Sequence, residues 1–388
     1  MTSQENICFV LKAKNEVCFE NRPVPAIENA TDVLVRIHVT GISSSDVHYW
    51  EHGHIGDSIL TAPMILGHGS SGTVVAVGPE CHHLVPGDRV VLEPGVPCRF
   101  CSFCKAGKYN LCKEIRFAAT PPYDGTLANY YVLPEDFCVL LPRCVSFEEG
   151  ALIEPLAVGV HVCHQAGIKP GNSVVVFGAG PIGLLCAAVA RSFGAIQIVM
   201  VDIFESRLEF AATYAATGVF SAAHPGTPWG DAMEIIKRFG LGYGADIAID
   251  TSGALQSAKT AIHVLRSDGT YVQVGMEADE TSFPMTAFRA REITIRGSFR
   301  YGPGDYKLAV DLVASGSVSV NELITDKFEF EDAEMAFEAQ KSGRAIKVLI
   351  NGPQDDGGAL LKRIKGGIAE EGREEMPAVS CCAAVAVS

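Results

Sequence analysis

Four cysteines, Cys98, Cys101, Cys104 and Cys112, fall in the spacing C-x2-C-x2-C-x7-C. Four thiolates can fill the tetrahedral shell of a Zn²⁺ ion and leave no position open, so the expected site holds a loop together and does no chemistry. Lys105 and Lys108, inside the same segment, partly offset the negative charge of such a cluster. A second pattern is Gly178-Ala179-Gly180-Pro181-Ile182-Gly183, directly after the apolar run Ser173–Phe177. Gly178 permits a tight turn, Gly180 lets backbone approach a pyrophosphate, and Gly183 lets helix and strand pack closely. The helix that follows presents unpaired N–H groups and its positive end to phosphates. Asp202 lies at the end of the next strand, placed to accept from both ribose hydroxyls and to repel a 2′-phosphate. The expected cofactor is therefore NAD(H) rather than NADP(H). Arg207 lies nearby and could soften that preference, or simply be an exposed helix charge. Thr251, Val274 and Gly275 end later strands at the carboxyl edge, where ligands sit in open α/β sheets.

The elements that must position these residues change character along the chain. Residues 1–155 hold short runs with strand periodicity, such as Val33–Val39, Gly72–Gly78 and Asp88–Leu92, divided by Gly and Pro. From 156 to 296, strands alternate with helices, the pattern of a parallel doubly wound sheet. Strands are expected at Ser173–Phe177, Gln197–Val201, Asp246–Asp250, Thr270–Gly275 and Ile293–Gly297, with helices over Ile182–Phe193 and Ser206–Ala215.

Composition narrows the function classes. A chain of 388 residues is long for a single core, which favours two domains. Net charge is −14, which argues against nucleic acid or an anionic membrane surface as partner. No apolar run reaches the roughly 20 residues that span a bilayer. Residues Met1–Asn6 lack the basic and apolar regions of a signal peptide. Thirteen cysteines in such a chain favour reduced thiols and a metal site over a disulfide framework. A cytoplasmic enzyme is the expectation.

Three further motifs are Gly41-Ile42-Ser43-Ser44-Ser45-Asp46-Val47-His48, Gly67-His68-Gly69 and Glu154-Pro155-Leu156. With the cysteine block, Phe117–Leu127, Gly150–Val158 and Gly297–Tyr306, they resemble the zinc-type polyol dehydrogenases of the medium-chain dehydrogenase/reductase superfamily. The fungal xylitol dehydrogenases are the most similar members. The resemblance covers about residues 5 to 352 and implies a GroES-like β-rich catalytic domain over 1–155 and 297–352. It also implies an NAD-binding Rossmann domain over 156–296, a homo-oligomer (dimer or tetramer) and a small-molecule substrate.

The same resemblance exposes a departure. The family reads Gly-Ile-Cys-Gly-Ser-Asp and Gly-His-Glu where this chain has Ser43 and Gly69. A catalytic zinc acts as a Lewis acid on the alcohol oxygen and needs about three protein ligands plus an open position. Here only His68 and Glu154 of that set remain, so one structural zinc and no catalytic zinc is expected. His48 and His52, at i, i+4 with His54 following, have ligand spacing but also occur in zinc-bearing relatives. The residues expected to carry the chemistry are His68, Ser45, Tyr49, Glu154 and Arg300, with Tyr301 beside Arg300 in the family's substrate-contacting pair.

The leading expectation is an NAD(H)-dependent oxidoreductase that reduces an activated carbonyl or conjugated enone without zinc. One alternative is a zinc-dependent xylitol/sorbitol-type dehydrogenase. Another is a non-redox enzyme (isomerase or cyclase), or an inactive partner, using the same cleft. Residues 353–388 lie beyond the family's usual end and read as a flexible tail.

Overall fold

The computed structural model describes residues 5–224, 226–276 and 282–353. The expectation for a tail falls, after residue 353, outside them. The chain forms two compact units, one built from residues up to Cys98, Glu114–Glu154 and from Val310 onward, the other from Arg99–Lys113 and Pro155–Ala309.

The first unit centres on a mainly antiparallel sheet. Its strands run in the order Cys138–Leu140, Arg89–Leu92, Gly69–Val77, Asp32–Gly41, Lys347–Asn351 and Ile324–Phe328, with Tyr130–Pro134 also pairing on Asp32–Gly41. The long Asp32–Gly41 strand is buried along most of its length, because its β-branched and apolar residues pack on both faces. Its last residue, Gly41, pairs with both Gly69 and Leu349. Residues from near the end of the described chain thus flank the segment that leads into the Ser44–His52 helix. One apolar cluster joins Phe9, Ile42, Val47, Trp50 and Leu66 to Phe330, Phe337, Val348 and Ile350. Burial of those side chains holds the C-terminal segment in this unit.

The second unit contains a six-stranded parallel sheet. From one edge the order is Gly218–Ser221, Gln197–Asp202, Ser173–Phe177, Ala245–Asp250, Leu265–Gln273 and Thr294–Gly297. The order reverses between Ser173–Phe177 and Ala245–Asp250, the switch point at which such sheets bind ligands outside their carboxyl ends. Each expected strand and helix forms, with ends moved by a few residues. The Gly218–Ser221 edge strand was not expected, because four residues give too short a pattern to read. Among the described residues, no helix is long and apolar enough to cross a membrane.

His38, on the Asp32–Gly41 strand, is held 2.9 Å from Thr73 Oγ1, with its ring 4.4 Å from that of Phe147. Burial, aided by the charges of Arg36 and Arg89, pushes its pKa from 6.5 down to about 4. The unfolded chain therefore takes up this proton first. The stability His38 contributes is full above about pH 6.5 and is lost as pH falls toward about 4. Denaturant midpoints measured across that window should fall less steeply for His38→Gln than for the parent. Identical slopes would contradict the assignment.

Candidate functional site

The cysteine segment is organised as its spacing requires. Cys101 caps the short Ser102–Lys105 helix, its sulfur accepting from Cys104 N at 3.5 Å, and a 3₁₀ turn at Tyr109–Leu111 delivers Cys112. The four sulfurs lie within 4.8 Å of one another. They are a closed, all-thiolate donor set that fits one structural Zn²⁺.

The glycine turn follows the Ser173–Phe177 strand. Gly178 has φ +95°, and a Cβ on Gly183 would lie 1.9 Å from Gly178 O, so this turn-to-helix passage admits no side chain there. A Cβ at Gly180 would instead meet nothing within 4 Å, leaving open space at the N-cap of the helix that begins at Pro181 and Ile182. That cradle fits a dinucleotide pyrophosphate. Thr251 Oγ1 donates to Phe177 O at 2.9 Å, while Val274 N and Gly275 N donate to Asp250 O. These residues therefore meet at the carboxyl edge of the sheet.

Asp202 plays a part that its sequence position did not disclose. Its Oδ2 accepts from Ala179 N at 2.6 Å and its Oδ1 from Phe204 N at 2.9 Å. The carboxylate fixes the glycine turn, which leaves only its remaining lone pairs for any ligand. Arg207 sits with its guanidinium 4.8 Å over the Phe204 ring.

The position at which the family's motifs put a catalytic metal lies wholly in the first unit. Ser43 caps the Ser44–His52 helix, its Oγ accepting from Ser45 N at 3.4 Å and from Ser45 Oγ at 3.0 Å. Asp46 completes the capping box by accepting from Ser43 N at 2.9 Å, and its other oxygen accepts from Gly67 N at 2.9 Å. His68 Nδ1 lies 3.4 Å from Asp46 Oδ1, and its Nε2 lies 3.9 Å from Glu154 Oε2. All three are buried, Asp46 at 1% exposure.

The electrostatics follow from that burial. Desolvation works to lower the His68 pKa, but the carboxylates of Asp46 and Glu154 outweigh it and raise the value above the ordinary histidine range. Asp46, which burial alone would raise, is held below the usual carboxylate range by His68 and by its backbone donors. Lys347 joins them from the Lys347–Asn351 strand. Its stem crosses Gly41, where a Cβ would lie 2.7 Å from Lys347 Cε, and its Nζ donates to Ile42 O at 2.6 Å. Burial lowers its pKa against the opposing pull of Glu154 and Asp46.

The donor set at this position does not fit a catalytic zinc. Gly69 brings no side chain, Ser43 spends a neutral hydroxyl on the helix cap, and His68 and Glu154 are two donors where three are usual. Among the described residues, only the cysteine cluster forms a group of three or more convergent metal-binding side chains. His48 and His52 stack at 4.3 Å outside any such group.

Two other expected residues belong to different units. Tyr49 lies in the apolar cluster with Trp50 and Leu66 at 3% exposure, since its helix position faces the core. Arg300 belongs to the second unit, at φ +55° with its guanidinium over the Phe299 ring. Sequence reasoning missed Asp46 and Lys347 as members of the site. Asp46 was legible as the N3 acid of a capping box, whereas a lysine opening an apolar strand carries no signal.

Residues 29–143 match the alcohol dehydrogenase GroES-like domain family, and residues 181–315 match the zinc-binding dehydrogenase family. Probable D-xylulose reductase A of Aspergillus clavatus is 58% identical over 354 residues, covering 91% of this chain and 99% of that protein. D-xylulose reductase A of Aspergillus niger is 57% identical over 351 residues, covering 90% and 98%. Among solved structures, L-idonate 5-dehydrogenase of Escherichia coli superposes with a TM-score of 0.82 at 30% identity, covering 90% of this chain and 98% of that one. A zinc-binding dehydrogenase of Sinorhizobium meliloti bound to NADP gives 0.82 at 26% identity, covering 90% and 99%.

A closed thiolate site contributes directly to folding. Cys101→Ser should remove the zinc held by the cluster and lower stability by more than about 1 kcal/mol, the centre of ordinary point substitutions. Metal content and a thermal melt measured on the same preparation test this. A variant that keeps its zinc and its midpoint would contradict it.

Proposed function

The chain belongs to the zinc-binding dehydrogenase family of medium-chain dehydrogenase/reductases, and from that premise we propose that it is an NAD(H)-dependent oxidoreductase interconverting a small polyol and its ketose, on the pattern of xylitol and D-xylulose, without a catalytic zinc. Relatives named for D-xylulose reduction, alike over nine-tenths of the chain, favour this substrate class over reduction of a conjugated C=C bond. An intact glycine turn with open space at Gly180 favours a redox enzyme over an isomerase or an inactive partner. NAD(H) and zinc are both typical of the family, so the departure lies in the catalytic metal alone.

The observation that carries the reading is the buried Asp46–His68–Glu154 array. Asp46 engages Nδ1 of His68 and so directs Nε2 toward Glu154 and the position where the family's metal would sit. The carboxylates of Asp46 and Glu154 raise the His68 pKa and so favour the protonated imidazole that can give up a proton. When bound, NADH supplies hydride to the carbonyl carbon. His68 then gives its Nε2 proton to the carbonyl oxygen, so that a C=O bond becomes CH–OH and the neutral imidazole is left to be reprotonated. In the oxidising direction the neutral imidazole takes the hydroxyl proton. Arg300 and Tyr301 are read as contacts to the substrate's hydroxyls, on the strength of the family resemblance.

His68→Asn should lower kcat for ketose reduction by about 10²–10³, the usual cost of one donor to a developing oxyanion, while NADH affinity stays within a few-fold. Undiminished turnover would overturn the assignment. NADH should also bind at least tenfold more tightly than NADPH, a difference of about 1.4 kcal/mol, because Asp202 meets hydroxyls in one cofactor and a phosphate in the other. Titration of Asp202→Ala should narrow that gap and weaken both cofactors, since Asp202 also anchors Ala179. Equal affinities in the parent protein would contradict the role.

A further inference from the structure

The segment from Ser298 to Asp305 leaves the edge strand Thr294–Gly297 and carries Arg300 and Tyr301. It is fastened at several points within its own unit. Ser298 N donates to Gln273 O at 3.0 Å. Gly302 N donates to Asp305 Oδ2 at 2.7 Å, and that carboxylate also holds His161 Nδ1 and His164 Nδ1, each at 2.7 Å. Tyr301 and Tyr306 are buried and meet edge to face at 5.3 Å. Between these anchors Arg300 stands at φ +55°, a conformation that residues with a side chain rarely adopt. Such a backbone persists only where its surroundings over-determine it.

A further anchor comes from the cysteine lobe. Asn110, 7% exposed in the 3₁₀ turn Tyr109–Leu111, donates Nδ2–H to Phe299 O at 2.9 Å. Its position is set by metal ligands on either side, because the turn runs from Lys108 to Cys112, with Leu111 N bonded to Lys108 O and Cys112 N to Tyr109 O. The acceptor is the carbonyl of the peptide that leads into Arg300. A lobe that the family chemistry reads as a passive staple is thus hydrogen-bonded to the residue preceding the substrate-contacting pair.

We propose that Asn110 is a positioning residue for the substrate loop, so that the metal held by Cys98, Cys101, Cys104 and Cys112 sets substrate affinity by fixing the peptide between Phe299 and Arg300. This rests on the reading of Arg300 as a substrate contact. The lobe therefore acts through ground-state binding of substrate and leaves the proton chemistry at His68 alone.

Asn110→Asp keeps the shape and removes the donor, placing an acceptor against the Phe299 carbonyl. In zinc-loaded protein it should retain one zinc per chain and a kcat within about twofold. KM for the ketose should rise about tenfold, the scale of one net hydrogen bond, and amide exchange over residues 298–304 should quicken. Arg300→Ala separates the two ideas. If it leaves KM unchanged, the reading of Arg300 fails. If it raises KM while Asn110→Asp, fully loaded and folded, changes neither KM nor exchange, the proposal is overturned. A second arm uses the unaltered chain in case the variant loads zinc poorly. Partial zinc removal by a chelator should quicken exchange over 298–304 before the strands of the parallel sheet open, and unchanged exchange there would equally overturn it.

Discussion

The arrangement around His68 depends on one buried carboxylate. Asp46 has almost no contact with water, and a buried ionised carboxylate persists only when its lone pairs are met by donors and opposite charge. It meets Ser43 N, Gly67 N and the His68 imidazole at once. Those three bonds join the start of the Ser44–His52 helix, the turn before the Gly69–Val77 strand, and the imidazole itself. Removing the carboxylate would release all three together. The cap and the dyad are one structure.

The charge pattern around that carboxylate accompanies Ser43 and Gly69, which stand where the family motifs carry side-chain ligands. Asp46 and Glu154 supply two negative charges, and His68 and Lys347 answer them. Lys347 reaches its place from the far end of the described chain, over a glycine that leaves room for its stem. The two carboxylates repel each other, and the nearby imidazole and amine offset that repulsion. This is why the imidazole can be protonated while buried, which an apolar pocket would forbid.

Much of this was legible in the sequence where chemistry is encoded locally. The cysteine spacing, the glycine turn and the alternation of strands and helices beyond residue 156 each depend on residues close together in the chain, and each forms. What spacing could not disclose are the contacts made across long intervals: Lys347 on Ile42, Asn110 on Phe299, and Asp305 on two histidines of a helix far upstream. Tyr49 shows what spacing leaves open. It is a candidate hydrogen-bond donor by residue type, and in the fold it lies in the apolar cluster with Trp50. Asp202 is the converse, a residue singled out to hold a ribose, whose hydrogen bonds in the fold go to the glycine turn and to Phe204 N.

Zinc stoichiometry on the native protein tests most directly the proposal of hydride transfer without a catalytic metal. The chain should hold one zinc after dialysis against a weak chelator, unchanged by His68→Ala, with ketose reduction insensitive to that dialysis. Two zincs per chain, the second lost together with activity in His68→Ala, would show that His68 and Glu154 recruit a metal and would contradict the account.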